Sequence, residues 1–150
     1  MLKRLFGLGG LALSSASAWA AVSVEDPHVR AMPPGVPNTA GYLILTSDSG
    51  SDRLLAAQCD GVKTTEIHTI LEQDGVMKMR PVEAIVLPQG EAVALTQGGY
   101  HLMMMGLEQQ PEIGQTLQCQ LRFERQAPLT VTFAVRDLNQ AEHQHHHHHH

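Results

Sequence analysis

The apolar residues of this chain alternate or fall in short blocks, and clusters of turn-forming residues break the pattern at roughly ten-residue intervals. No stretch of useful length carries the 3.6-residue spacing of a helix. The candidate strands are Val22–Glu25, Val29–Ala31, Ala40–Thr46, Arg53–Cys59, Thr64–Glu72, Met77–Val82, Ala92–Leu95, His101–Gly106, Thr116–Glu124 and Leu129–Val135. Between them lie Pro33-Pro34-Gly35, Asp48-Ser49-Gly50-Ser51, Asp60-Gly61, Asp74-Gly75, Pro88-Gln89-Gly90 and Gly98-Gly99. Many short strands at this spacing predict an all-β fold, an antiparallel sandwich or barrel, and pairs such as Asp74-Gly75 predict tight hairpins. The segment from Pro33 to Asn38 holds three prolines, which donate no backbone hydrogen bond, so it reads as a surface loop.

Both ends stand apart from this pattern. Lys3 and Arg4, the apolar run Leu5–Leu13 and the small-x-small sequence Ala18-Trp19-Ala20 make up a secretory signal. The run is too short to span a bilayer, which takes about 20 residues. His145–His150 are six consecutive histidines and read as a purification tag. The expected organisation is a signal peptide at 1–20, one domain at 21–138 and a tail at 139–150 that includes the tag. No cysteine stands where a lipid anchor would need one, because Cys59 comes too late. Export then means the periplasm or secretion, with no membrane span after cleavage.

Trimming changes the arithmetic. The signal takes two of the ten basic residues, leaving a net charge of −7 against fifteen acids. That balance argues against a nucleic-acid partner, which needs a basic face. Only His28, His68, His101 and His143 remain outside the tag, together with six methionines: Met32, Met77, Met79, Met103, Met104 and Met105.

Strand periodicity gives these residues directions. Along Tyr100–Met105, residues 101, 103 and 105 share one face and Leu102 and Met104 the other, so His101 and Met103 project together. Met77 and Met79 share a face and alternate with Lys78 and Arg80; ordinary packing would bury that methionine face. Met103-Met104-Met105 taken alone suits a flexible core filler. Imidazoles and thioethers together suit Cu(I), because thioether sulfur is soft. Zinc prefers Cys, His and carboxylate, and calcium and magnesium take oxygen.

His68, ten residues, Met79, twenty-one residues, His101, one residue, Met103: this order resembles the H-x10-M-x21-H-x-M signature of the PCuAC family of periplasmic copper chaperones. Val29–Gly35, Asn38–Tyr42, Gly75–Val82 and Gly98–Met103 resemble that family too, and the likeness runs from about Val24 to Arg136. The resemblance implies a cupredoxin-like antiparallel β-sandwich with Greek-key connections, monomeric and not an enzyme. It implies that His68, Met79, His101 and Met103 bind one Cu(I) at an exposed end. It further implies delivery toward the CuA subunit of cytochrome c oxidase, directly or through a thiol-containing copper chaperone. A copper buffer without a dedicated client is the alternative. Met77 is a possible neighbour of the site, and Met32 is a loop residue that either approaches it or simply packs.

The remaining features narrow the alternatives. A blue-copper site needs a cysteine thiolate with two histidines, and no His or Met follows Cys119 until His143. In an oxidising compartment Cys59 and Cys119 are either a disulfide closing a loop of about 60 residues or two buried thiols; the sequence leaves both open. Glu66 beside His68 reads as an exposed strand acid or as a support for the imidazole. No arrangement of nucleophile and base suggests a hydrolase.

Overall fold

The computed structural model describes residues 22–139 and consists of strands throughout. They are β1 (Val22–Arg30), β2 (Asn38–Ser47), β3 (Asp52–Cys59), β4 (Val62–Gln73), β5 (Val76–Pro81), β6 (Ile85–Leu87), β7 (Ala92–Leu95), β8 (His101–Leu107), β9 (Thr116–Phe123) and β10 (Leu129–Arg136). The signal peptide, His143 and the tag lie outside the described residues. Among the described residues no helix is long and apolar enough to cross a membrane.

The strands are hydrogen-bonded in the order β5-β4-β8-β2-β1-β10-β9-β3-β6, with β7 pairing β2 beside β8. Pairing is antiparallel except between β1 and β10, which run parallel. That one parallel pair is where the structure departs from the expected antiparallel sandwich. It joins the first and last of the described strands: His28, Val29 and Arg30 stand against Ala134, Val135 and Arg136. The strands on either side of this pair share a single core. Leu43, Leu45, Ile67, Leu102 and Met104 meet Leu54, Leu121, Phe123, Val131 and Phe133 within it.

The alternation read from the sequence explains the burial. Leu102 and Met104 are both fully buried, on the inner face of β8, whereas Met103 and Met105 are only half-buried. Gly41 on β2 faces this inner layer, and a Cβ there would stand 2.8 Å from the Met104 Cε. The missing side chain is what lets the long Met104 lie beneath β2. The hairpin between β4 and β5 turns on Asp74 and Gly75, with φ of 55° and 74°. Positive φ at both central residues is the type I′ geometry that Asp-Gly favours.

The one strand absent from the sequence reading is β6. It has three residues, with Val86 exposed between buried Ile85 and Leu87, too short for a period of two to be seen. It caps the edge strand β3. Cys59 and Cys119 are Cα partners on β3 and β9 and are joined as a disulfide, both buried. Tertiary pairing thus settles what the sequence left open.

Candidate metal centre

β4 is the strand that builds the site. Its first half pairs β8, ending at His68 opposite His101. From His68 onward it pairs β5 instead, with His68 opposite Pro81 and Ile70 opposite Met79. His68 therefore sits where β4 leaves the body of the sheet, and the β4–β5 hairpin continues beyond it as a two-stranded arm. Cross-strand partners project to the same side. Glu66, His68 and Ile70 of β4 thus share a face with His101, Met103 and Met105 of β8, with Met77 and Met79 of β5, and with Asn38 and Ala40 of β2.

On this face lies a cavity of about 400 Å³, lined among others by Met32, Ala40, Ile70, Met79, His101 and Met103. Its shape follows from side-chain size. Ala40 stands directly opposite Met103, and so short a side chain leaves room in front of the thioether. Met79 overhangs from the arm, and Met32 comes from the loop after β1. Three of the four residues singled out in the sequence therefore line one cavity. His68 is not among its lining residues; it meets His101 alongside, with the ring centroids 5.8 Å apart and the planes edge to face.

The hydrogen bonds of the two imidazoles decide which nitrogens are available. His101 Nδ1 lies 3.1 Å from the Gly99 carbonyl oxygen, and a carbonyl only accepts. The Nδ1–H therefore donates, which leaves Nε2 of the neutral ring with its lone pair. That Nε2 is buried and has no hydrogen-bond partner. His68 is arranged in the mirror sense. Its Nε2 lies 2.8 Å from Glu66 Oε2, and an ionised carboxylate likewise only accepts. Nδ1 carries the lone pair, and it too is buried without a partner. Buried polar atoms are normally paired; these two imidazole nitrogens, on neighbouring rings, are not, and both are open to a ligand. A second hydrogen bond that fixes the tautomer is the usual support for a metal-binding histidine.

Glu66 thus has both of the characters the sequence allowed: its side chain is 45% exposed and it also orients His68. The Gly99 carbonyl was not foreseen, and its only sequence signal is its position two residues before His101. The methionine face of β5 is not buried, against the packing expectation. Every residue of β5 is exposed, with Met79 at 48% and Met77 at 61%. The physical reason is that β5 is an edge strand of an arm that has left the sheet, so nothing packs over it. Among the described residues, no three His, Cys, Asp or Glu side chains come together as a metal cluster. The side chains nearest the two imidazoles on this face include the thioethers of Met79 and Met103.

Residues 22–135 match the family described as putative lipoprotein LpqE-like, and the chain belongs to that family. A curated relative, the putative lipoprotein Lxx21020 of Leifsonia xyli subsp. xyli, is 27% identical over 125 residues, which span 83% of this chain and 75% of that one. Among solved structures, the copper-bound PCuAC domain from PmoF2 is similar at a TM-score of 0.67 and 21% identity, covering 78% of this chain and 93% of that domain. The Cu(I) form of DR1885 from Deinococcus radiodurans is similar at a TM-score of 0.61 and 27% identity, covering 82% and 84%. The fold is that of PCuAC domains.

Proposed function

We propose that this protein is an exported copper chaperone that carries one Cu(I) on His68, Met79, His101 and Met103. It passes the ion toward the CuA site of cytochrome c oxidase, directly or through a thiol-containing chaperone. The observation that carries the reading is the pair of buried imidazole nitrogens, His68 Nδ1 and His101 Nε2, each left unbonded by a partner that holds the opposite nitrogen. Two neutral imidazoles and two thioethers make a soft donor set of the kind that selects Cu(I) over harder ions. Both cysteines are committed to the disulfide, so a blue-copper thiolate centre finds no ligand among the described residues. The copper-bound PmoF2 domain and the Cu(I)-bound DR1885 support the choice of ion, and the lipoprotein descriptions of the relatives support export.

The four donors are all neutral, so they leave the ion its single positive charge, beside the Glu66 carboxylate that holds His68. Met79 is 48% exposed on a free arm. An incoming thiolate reaches the ion from that side and displaces a weak thioether first, which suits carriage and release rather than catalysis. X-ray absorption on the tag-free Cu(I)-loaded protein tests the ligand set: two sulfur and two nitrogen scatterers are expected, and all-nitrogen coordination refutes it. Mixing the loaded protein with an apo CuA domain or its thiol chaperone tests delivery. Growth of the acceptor's copper absorption supports a chaperone, and retention of the ion against both acceptors makes the protein a buffer.

A further inference from the structure

The cavity beside His101 presents more soft donors than the four-residue ligand set uses. Its wall includes Met32, Met79 and Met103 together with His101, but not His68. Three methionines and one histidine therefore line the same space. Resting on the reading above, we propose that Met32 is a further thioether donor to the cargo ion, able to take the place of His68 while the ion is held in the cavity for transfer.

Met32 is half-buried and stands outside the core. Among the described residues it belongs neither to the buried core nor to the partly buried side chains packed against that core, whereas Met104 lies in the core. The backbone on both sides of it is pinned. The Ala31 N–H donates to the Arg136 carbonyl at 2.8 Å, and Thr39 Oγ1 donates to the Arg30 carbonyl at 2.6 Å. On the far side, the Gln110 side-chain amide donates to the Pro33 carbonyl at 2.7 Å and to the Val36 carbonyl, and the Leu107 N–H donates to the Pro37 carbonyl at 2.8 Å. Pro33 restricts Met32 itself to an extended backbone. The proline-rich segment is thus a pinned wall that places Met32 at the cavity, and only the flexible methionine side chain needs to move to reach an ion. The exchange breaks one Cu–N bond to His68 and forms one Cu–S bond to Met32. Both donors are neutral, so no proton or electron is transferred and the charge at the site does not change.

The test uses tag-free protein loaded with Cu(I) under reducing, oxygen-free conditions, comparing wild type, Met32→Leu, His68→Ala and the double variant. Leucine conserves volume and removes only the sulfur; Met32→Gln serves as a second thioether-free variant, and an unchanged thermal midpoint certifies folding. His68→Ala is expected to retain Cu(I) with three sulfur scatterers and one nitrogen by X-ray absorption. Adding either Met32 substitution to it is expected to reduce the count to two sulfurs and weaken binding about tenfold or more against a colorimetric Cu(I) chelator, on the scale of losing a supporting residue at a metal site. If His68→Ala shows only two sulfurs, or the double variants bind as tightly as His68→Ala, Met32 is not a donor although the four-ligand site stands. If wild type shows no Cu–S scattering, the site assignment falls and takes this inference with it.

Discussion

His68 and His101 are Cα partners across β4 and β8, yet each leaves a different nitrogen unbonded: Nδ1 in His68 and Nε2 in His101. The asymmetry comes from their supports, a carboxylate for one ring and a backbone carbonyl for the other. Only the first can be removed by mutation.

Glu66→Ala is therefore expected to weaken Cu(I) binding about 10- to 100-fold, the usual cost of losing a residue that orients a ligand. Glu66→Gln keeps an oxygen acceptor and should recover most of the loss. His68→Ala and His101→Ala each remove a donor outright, and His101→Ala should be the more damaging because His101 lines the cavity itself. Chelator competition at neutral pH measures all four variants.

Removal of the disulfide separates stability from the site. Cys59 and Cys119 close a loop with a sequence separation of 60, for which the chain-entropy relation gives roughly 4 kcal/mol. Cys59→Ala/Cys119→Ala should lower the denaturant midpoint accordingly. Neither cysteine lines the cavity, so the sulfur count around Cu(I) should stay unchanged. A lower count would make a cysteine a ligand and overturn the thioether assignment.

Asp52 ties the start of β3 to the turn after β9. Its Oδ1 accepts from the Arg53 and Arg125 N–H groups at 2.8 and 2.9 Å, and its Oδ2 from the Gln126 N–H at 2.9 Å. Burial pushes this carboxyl up, but the three N–H donors and the Arg125 charge outweigh burial and hold it below the usual carboxylate range. A depressed folded-state value means the contribution is fully present above the unfolded value of about 3.9 and is lost as pH falls through the folded one. Asp52→Ala should cost about 1–3 kcal/mol at pH 7 by leaving buried donors unpaired. The gap between variant and wild type should shrink below about pH 4, as urea titrations at several pH values would show.

Gly41 is the tightest point under the site. Gly41→Val should destabilise by about 1–3 kcal/mol through overpacking, because a side chain there meets Met104 at 2.8 Å and Phe133 at 3.6 Å. Gly41→Ala should cost less, since the nearest atom is the flexible tip of a methionine. Thermal unfolding reads both. Loosening β8 should also weaken Cu(I) binding, because Met103 adjoins Met104.

Period-two patterning is a local property, so much could be read directly from the residues. The boundaries of β7 and the starts of β8, β9 and β10 agree with the sequence reading, and so do the opposite facings of Met103 and Met104. The projection of His101 and Met103 to one side follows from two residues of strand. β6 escaped because three residues show no period, and the exposure of Met77 and Met79 escaped because alternation says which residues share a face but not whether anything covers it.

Residue type and spacing by themselves determined the all-β class and which residues of β8 share a face; the donor set of His68, Met79, His101 and Met103 rested on a family resemblance. Only the tertiary structure decided that β4 lies against β8 so that His68 meets His101, that Cys59 and Cys119 are bonded, and that a proline loop brings Met32 to the same cavity. The division has one physical cause. A strand's face is set by its own backbone geometry, whereas its neighbour is chosen by burial summed over the whole core, and no local pattern encodes that sum.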